Sequence, residues 1–444
     1  MSNTTAREAA LEILEQIDKN QSYSNLLLNH AIKKFSIKGP DTGLLTELTY
    51  GTLQRKLTLD YFLAPFVKKK IENWVRNLLR LSLYQMLYLD RVPERAAIHE
   101  AVEIAKKRGH KGVAGLVNGI LRSIQREGAP SLNKIKDPIE RLSIETSHPY
   151  WLAARWHKQY GMEKTKAMCE KNLLAPVQTA RVNTLKTTRE SILEQLNEEG
   201  IEAQASSIIP EGISITRGNI AHTNAYKSGM LTIQDESSML VAYALNPQPG
   251  ETILDMCAAP GGKTTHLAQK MKNEGQIIAM DLHPHKIKLI DDNANRLGIE
   301  CIEGAALDAR EAGRKFKPGS FDRVLVDAPC SGLGVVRRKP DIKYAKSEKD
   351  LEGLTVVQKS LLAAAVDMVK PGGRLVYSTC TVDHAENSDM VAHFLGEHPE
   401  MELTAMENLP DHVKPLIQDD ILQVFPQDFN GDGFFIACFE KKRQ

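Results

Sequence analysis

The sequence has no apolar run long enough to cross a membrane, which takes roughly 18 or more consecutive apolar residues. Hydrophobic residues make up 42% and charged residues 25% of the 444 residues, which is typical of a globular protein. The first five residues lack the basic and apolar segments of a signal peptide. The six cysteines include no Cys-x-x-Cys pair, so neither a zinc site nor a disulfide framework is indicated. We therefore expect a reduced, cytoplasmic, monomeric protein without a bound metal.

A strong net charge is also absent, because 57 basic residues stand against 56 acidic residues. The balance is uneven along the chain: residues 1–145 contain 23 basic and 16 acidic residues, and the remainder contains 34 and 40. A basic N-terminal third on an acidic body indicates contact with a polyanion such as a nucleic acid. Chance segregation of solvated charge is the alternative.

Apolar periodicity predicts an all-helical N-terminal domain over residues 1–130. Ile13, Leu14 and Ile17, for example, fall on one helical face. The stretch from residue 128 to residue 138 breaks this periodicity and is predicted to be a linker. Residues 140–235 mix short strands at 181–183 and 213–215 with a helix over 188–199, which predicts a small α+β domain. The residues alone do not decide whether that domain binds RNA or is a spacer.

From residue 236 to residue 444, strands alternate with helices such as 351–369, which predicts an α/β domain with a mostly parallel sheet. Five predicted strands and a closing hairpin give a Rossmann-like sheet of seven strands. Ligands of such sheets bind beyond the carboxyl ends of the strands, so we expect the site there. The predicted strands are 252–256, 276–281, 300–303, 321–327, 373–378, 422–425 and 434–439.

Small residues and two glycines follow the first of these strands, in the run Asp255-Met256-Cys257-Ala258-Ala259-Pro260-Gly261-Gly262-Lys263-Thr264. This run has neither the GxxxxGK[ST] spacing of a phosphate loop nor the GxGxxG spacing of a dinucleotide site. Asp281 ends the second strand, where a carboxylate can accept both hydroxyls of a ribose. Asp308 follows the third strand and is placed to accept a hydrogen bond from the adenine amine. The pattern predicts a site for adenosine without phosphates, and S-adenosylmethionine fits it.

Two cysteines stand at the ends of adjacent predicted strands, in Asp327-Ala328-Pro329-Cys330 and Ser378-Thr379-Cys380. Beside a methyl donor, a cysteine thiolate can add to carbon 6 of cytosine, which makes carbon 5 nucleophilic enough to take up a methyl group. Asp327 is placed to bind the N3/N4 edge of the base. The residues alone do not choose the attacking cysteine, since DNA cytosine-5 methyltransferases use the cysteine of a Pro-Cys pair. The other four cysteines are interpreted as small buried hydrophobic side chains.

These motifs, with Arg337-Arg338-Lys339-Pro340-Asp341 between them, closely resemble the RNA cytosine-5 methyltransferases of the NOL1/NOP2/Sun class over residues 140–444. Residues 73–87, 92–93, 98–102 and 117–122 resemble the NusB family of helical RNA-binding domains, over about the first 130 residues. The combination is similar to bacterial 16S ribosomal RNA methyltransferases of the Sun/Fmu type.

The resemblance implies a class I methyltransferase fold, S-adenosylmethionine as cofactor, and 16S ribosomal RNA as partner, with cytosine 967 as target. It implies that Cys380 is the nucleophile and that Cys330 assists resolution of the covalent intermediate, with Asp327 also in the site. We expect the loop side chains Arg337, Arg338 and Lys339 to contact RNA phosphates. The cofactor residues that it implies are Cys257, Ala258, Ala259, Pro260, Gly261, Gly262, Lys263, Asp281, Asp308 and Asp327.

Three other functions fit the sequence less well. A non-enzymatic RNA-binding factor would not need both Cys330 and Cys380. A DNA methyltransferase would carry a long target-recognition insert, which is missing. An amino-group methyltransferase would have an aromatic residue in place of Cys330, to stack on the base.

Overall fold

The computed structural model describes residues 4–20, 24–429 and 431–443. Residues 1–3, part of the stretch expected not to be a signal peptide, lie outside the described residues. By their contacts the residues form two compact units, one of 1–175 with 336–347 and one of 176–335 with 348–444. Across the described ranges, no helix is both long and apolar enough to cross a bilayer.

The first unit is all helical, which confirms the fold class predicted for the N-terminal region. Its core contains fully buried leucines such as Leu45, Leu48 and Leu78, spaced so that each helix turns one apolar face inward. Gly128 ends one helix with a φ of 80°, and Asp137 caps the next by accepting a hydrogen bond from the Ile139 amide at 2.7 Å. The helices are Ala6–Asn20, Ser24–Lys34, Pro40–Gln54, Lys56–Leu63, Asn73–Tyr88, Glu94–Arg108, Lys111–Glu127, Pro138–Thr146 and Tyr150–Asn172.

The segment 336–347, which contains the helix Ile342–Ala345, completes this unit although it is distant in sequence. Lys343 is fully buried and donates to the backbone oxygen and to Oε1 of Gln54, both at 3.1 Å. Burial lowers the pKa of Lys343 to about 7. Ser24 donates to Asp341, and the Tyr344 hydroxyl donates to the Leu53 carbonyl at 2.9 Å. The segment is therefore fixed by buried polar contacts.

The second unit begins with a small antiparallel sheet, in the order β2-β3-β1-β4. Its strands are β1 (Gln178–Val182), β2 (Glu202–Ala205), β3 (Gly212–Arg217) and β4 (Leu231–Ile233), with the helices Arg189–Glu198 and Asn224–Lys227. The strands predicted around 181–183 and 213–215 and the helix predicted over 188–199 are confirmed. Residues 140–175, which the sequence analysis groups with this sheet, are mostly helical and pack with the first unit.

A larger sheet follows, with nine strands in the described part of the chain, in the order β11-β12-β13-β9-β8-β5-β6-β7 and with β10 beside β13. Strands β5 to β9 pair in parallel, and β13 runs antiparallel to β9. The strands are β5 (Thr252–Asp255), β6 (Gln276–Asp281), β7 (Ile302–Ala306), β8 (Phe321–Asp327), β9 (Val369–Thr379), β10 (Met401–Leu403), β11 (Ile417–Gln418), β12 (Ile421–Val424) and β13 (Phe434–Lys441).

Helices cover both faces of this sheet, which confirms the predicted α/β class. Leu254 and Val324 pack into one apolar cluster, and their neighbours Ile253 and Leu325 pack into another. The helices are Glu236–Leu245, Gly262–Lys270, Pro284–Leu297, Glu348–Met368 and Ser388–Glu397. The chain leaves β5 for β6 on one side and returns to β8 on the other. The crevice between the ends of β5 and β8 is therefore the expected ligand site.

Two differences from the predicted strands have physical reasons. Beyond the predicted seven, the sheet has the short strands β10 and β11, which are too brief to give a periodic signal. Strand β7 lies two to three residues later than its predicted position at 300–303. It forms one edge of the sheet and contains a glycine and two alanines, so its apolar pattern is weak.

A buried charged network joins the small sheet to the helix Gly262–Lys270. Glu211 accepts from His266 Nε2 at 2.7 Å, from Lys270 Nζ at 2.9 Å and from the Tyr243 hydroxyl at 2.5 Å. Burial would raise the pKa of Glu211, but these hydrogen bonds and charges hold it well below its usual value. Burial lowers the pKa of His266 to about 3, with Arg181 adding to the effect. His266 is therefore neutral at pH 7.

We expect the free energy of unfolding to fall as the pH drops below about 6.5, because the unfolded chain then binds a proton at His266 that the folded chain does not. This histidine alone would account for up to about 2 kcal/mol between pH 7 and pH 5. Urea denaturation at both pH values measures the loss. His266→Gln keeps an N–H donor and should flatten the dependence, whereas His412→Gln, at an exposed position, should not. An unchanged dependence in His266→Gln would contradict the argument.

Candidate active site

A cavity of about 260 Å³ lies at the carboxyl ends of β5 and β8. Asp327 and Cys380, predicted from the sequence as catalytic residues, line it, together with Asp255 at the end of β5. Of the residues predicted to bind the cofactor, the cavity also touches Cys257, Ala258, Ala259, Pro260, Gly262 and Lys263.

The loop after β5 is shaped by two glycines with different roles. Gly261 has a φ of 96°, a left-handed conformation that favours glycine, and a Cβ there would lie 3.2 Å from the Ile290 Cα. Gly262 begins the next helix, and a Cβ there would meet no atom within 4 Å. A ligand can therefore approach the backbone at Gly262 closely.

Arg181, on β1, supports this loop from the side of the small sheet. Its side chain is almost fully buried and donates to the Gly262 carbonyl at 2.9 Å and to Thr265 Oγ1 at 3.0 Å. It also donates to Gln234, whose side chain lines the cavity. Burial lowers the pKa of Arg181 to about 9. The small sheet is therefore a structural support of the loop after β5, a role that could not be predicted from the sequence.

Asp255 is a buried carboxylate with an unused acceptor. Oδ2 accepts from Thr264 Oγ1 at 2.7 Å, while Oδ1 is buried and has no hydrogen-bond partner among the described residues. Burial raises the pKa of Asp255 to about 7, and the nearby Asp327 adds to the rise.

Lys263 and Asp327 form an ion pair in the cavity wall, with 2.7 Å between Nζ and Oδ2. The other oxygen of Asp327 accepts from Ser378 Oγ on β9 at 2.8 Å. Burial would lower the pKa of Lys263, but Asp327 and, more weakly, Cys380 raise it above its usual value. Lys263 is therefore a fixed positive charge close to the Cys380 sulfur.

The sulfur atoms of Cys330 and Cys380 are 3.3 Å apart. The backbone amide of Cys380 also points at the Cys330 sulfur, with 3.3 Å between N and Sγ. The contact with Cys380, together with burial, raises the pKa of the Cys330 thiol well above its ordinary value. The two sulfur atoms therefore lie together, as the sequence motifs predict, and Cys380 lines the cavity.

Asp281 and Asp308 follow adjacent strands but do not line this cavity. Asp281 accepts from the His283 amide at 3.1 Å and is close enough to Cys257 to raise the pKa of its thiol, although burial contributes more. Asp308 accepts hydrogen bonds from the exposed Arg310 side chain, from Nε at 2.9 and 3.1 Å and from Nη2 at 2.5 Å. Both carboxylates remain at the expected edge of the sheet.

Several cavity residues come from other strands and are not predicted from the sequence. Asp235 follows β4, and its Oδ1 accepts from the Ser237 amide at 2.9 Å and from the Asp432 amide at 3.2 Å. Asp432 and Phe434, at the start of β13, also line the cavity. The position of Asp432 between Gly431 and Gly433 indicates a turn with an acidic side chain. Nothing in the sequence shows that this turn lies next to β5.

The three basic residues between the cysteine motifs belong to the first unit by their contacts. Arg337 is only 4% exposed and donates to the Ala175 carbonyl at 2.9 Å, so its guanidinium stabilises the chain and does not present itself to a phosphate. Arg338 and Lys339 are half-buried.

Three family models match successive parts of the chain. Residues 4–126 match the NusB family, and residues 148–221 match the ferredoxin-like domain of RsmF/B-like methyltransferases. Residues 242–440 match the family described as 16S rRNA methyltransferase RsmB/F.

Named relatives match the chain over its whole length. A Bacillus subtilis protein, a "probable ribosomal RNA small subunit methyltransferase B", is 52% identical and covers 100% of both chains. The ribosomal RNA small subunit methyltransferase B of Klebsiella pneumoniae is 34% identical over 99% of each. The crystal structure of PH0851 is similar with a TM-score of 0.83 and 30% identity, over 99% of this chain and 98% of the other.

Replacing Lys263 with methionine should slow the alkylation of Cys380 by iodoacetamide several-fold, because the thiolate is the reactive form and loses the positive charge of Lys263. Mass spectrometry of the peptide that contains Cys380 measures the rate. Lys288→Met removes an exposed charge and should leave the rate unchanged. Equal rates in Lys263→Met and in the parent protein would show that Lys263 does not act on this sulfur.

Proposed function

The chain belongs to the RsmB/F family of 16S rRNA methyltransferases, and we propose that it transfers a methyl group from S-adenosylmethionine to carbon 5 of a cytosine in 16S ribosomal RNA. Methylation of ribosomal RNA follows from the family. The base, the carbon atom and the covalent route are our proposal. The observation that carries it is the 3.3 Å distance between the sulfur atoms of Cys330 and Cys380, at the rim of a cavity bounded by the loop after β5.

The cavity suits a cofactor with positive charge. Asp255, Asp327, Asp235 and Asp432 line it, and Asp255 Oδ1 is buried without a partner among the described residues. Residues 257–263 would hold the cofactor along the loop backbone. Asp281 would accept the ribose hydroxyls, and Asp308 would take the adenine amine in exchange for the side chain of Arg310. When bound, S-adenosylmethionine supplies an electrophilic methyl group.

The Cys380 thiolate is proposed to add to carbon 6 of the cytosine. The S–C6 bond forms, the C5–C6 double bond is lost, and its electron pair becomes available at carbon 5 for the new bond to the methyl group. The methyl group would leave its sulfonium sulfur, which would keep the electron pair of the broken bond. Asp327 holds the N3/N4 edge of the base, and Lys263 fixes that carboxylate at 2.7 Å.

Release then reverses the addition. The proton on carbon 5 passes to solvent, its electron pair restores the C5–C6 double bond, and the S–C6 bond breaks to return the Cys380 thiolate. Cys330 would assist by donating a hydrogen bond from its thiol to the departing sulfur, which is 3.3 Å away. This arrangement separates the nucleophile from the residue that resolves the adduct.

The RNA must present an unstacked cytosine to reach Cys380, so a loop or an easily opened base pair is the expected substrate. Arg338 and Lys339 would contact RNA phosphates, whereas Arg337 would not, because its side chain is buried. The basic residues of the N-terminal unit would contribute to the same attraction.

Cys380→Ala should reduce methylation of 16S ribosomal RNA by ~10³-fold or more, because the addition to carbon 6 is lost. Cys330→Ala should instead accumulate a protein–RNA adduct, because release of the thiolate slows. A denaturing gel detects that adduct as a band of low mobility. Cys301→Ala is the control and should behave as the parent. A band from Cys380→Ala and none from Cys330→Ala would reverse the two roles.

Bisulfite sequencing of 16S ribosomal RNA from a strain that lacks this protein tests the target. By the resemblance stated above, protection of cytosine 967 should disappear, and the parent gene but not Cys380→Ala should restore it. Unchanged protection at every cytosine in the deletion strain would refute the proposed activity.

A further inference from the structure

Two buried side chains hold the peptide groups on either side of Cys330. Glu386 is fully buried, and its Oε2 accepts from the Ser331 amide at 2.8 Å. Gln358, on the helix Glu348–Met368, donates from Nε2 to the Pro329 carbonyl and to Glu386 Oε2, both at 3.0 Å. The residue before Cys330 and the residue after it are therefore both fixed through the Glu386 carboxylate and its partner.

The neighbouring residue Asn387 does the same for Cys380. Its Oδ1 accepts from Thr379 Oγ1 at 2.7 Å, and its Nδ2 donates to the Thr381 carbonyl at 3.1 Å. A hydrogen bond of 2.8 Å between Ser331 Oγ and Thr381 Oγ1 joins the two loops directly. Two consecutive residues, Glu386 and Asn387, thus fix the loops that carry the two sulfur atoms.

Hydrogen bonding alone does not explain a carboxylate at position 386. A neutral amide oxygen would accept the bonds from Ser331 and Gln358 equally well, and Glu386 Oε1 is buried without a partner among the described residues. Burial of such a group is costly, and it raises the pKa of Glu386, with Asp383 adding to the rise. The hydrogen bonds of Glu386 therefore do not explain why a residue that can carry a negative charge is buried at this position.

The Glu386 carboxylate binds the amide next to Cys330, and its charge acts on the Cys330 thiol. Cys380 and Glu386 are titratable groups whose charges act on the Cys330 sulfur, and Tyr377, on β9, lies near both Cys330 and Glu386. After the contact with Cys380 and burial, Glu386 is a further cause of the raised pKa of the Cys330 thiol. A nearby negative charge disfavours the thiolate, so it favours the protonated sulfur.

We propose that Glu386 is a positioning residue that keeps Cys330 protonated and in place, so that the Cys330 thiol can donate its hydrogen to the Cys380 sulfur. This inference rests on the proposed function, in which Cys380 attacks and Cys330 assists release. It explains how two neighbouring cysteines keep different roles: the carboxylate opposes ionisation of one, and Lys263 supplies positive charge near the other.

The test is the alkylation of Cys330 in the full chain, without RNA, by iodoacetamide between about pH 6.5 and about pH 9.5. Glu386→Gln keeps the shape and the acceptor oxygen but removes the charge. At about pH 8 the Cys330 rate, relative to that of Cys301 in the same sample, should rise about threefold or more. Peptide mass spectrometry measures both rates. Glu397→Gln removes an exposed charge and is the matched control.

An unchanged Cys330 rate in folded Glu386→Gln would overturn the inference, because the residue would then only support the loop. If Glu386→Gln does not fold, as judged by circular dichroism, Glu386→Asp withdraws the carboxylate by one methylene. Faster alkylation of Cys330 in Glu386→Asp supports the inference, and an unchanged rate overturns it. Gln358→Ala keeps the charge, so a rise there as large as in Glu386→Gln would also overturn it.

The alkylation requires neither methyl donor nor RNA, so its outcome is separate from that of the methylation assays. Faster alkylation in Glu386→Gln, in a protein that methylates no cytosine, would refute the proposed function and leave the action of Glu386 on Cys330 intact. In an active protein, Glu386→Gln should accumulate the slow-migrating adduct with a lower kcat, a lower KM for RNA and an unchanged kcat/KM, since addition precedes the affected step. A raised KM with no adduct would contradict the positioning role.

Discussion

The parallel pairing of β8 with β9 is the constraint on which the site depends. Asp327 at the end of β8 lies opposite Ser378 on β9, and each cysteine follows its strand within three residues. Because side chains alternate across a strand, a shift of one residue in this register would turn Asp327 away from Ser378 and separate the two sulfur atoms. Strand pairing therefore sets the sulfur–sulfur distance, and the local hydrogen bonds refine it.

Around that register, the structure places charges of opposite sign near two chemically identical side chains. Lys263 reaches the cavity from the first turn of the helix that follows the β5 loop, and Glu386, in the turn after β9, binds the Ser331 amide next to Cys330. Arg181 supports the first of these loops from the small sheet. The thiols differ in environment because three separate parts of the second unit contribute to the site.

Much of the fold could be predicted because its strands are apolar runs that end in aspartate, as at Asp255, Asp281 and Asp327. The loop after β5 and the two cysteines could be predicted because their chemistry is visible in short motifs. Glu386, Gln358 and Asp432 could not, since they lie in turns or on a helix and gain their roles only through contacts across the fold. For Arg337 the prediction from the sequence was wrong. The basic run that begins with Arg337 indicated an exposed contact to RNA, whereas the Arg337 side chain is buried in the fold.

The segment 336–347 determines when the first unit can complete its folding during synthesis. The first unit is translated up to residue 175, yet the partners of Gln54, Ser24 and Leu53 in that segment emerge only some 160 residues later. At typical rates of protein synthesis this delay is on the order of ten seconds. During that time the helices of residues 1–175 lack the side chains of residues 336–347 that complete their buried contacts. The N-terminal unit therefore cannot complete its folding until the chain has been synthesised beyond residue 347.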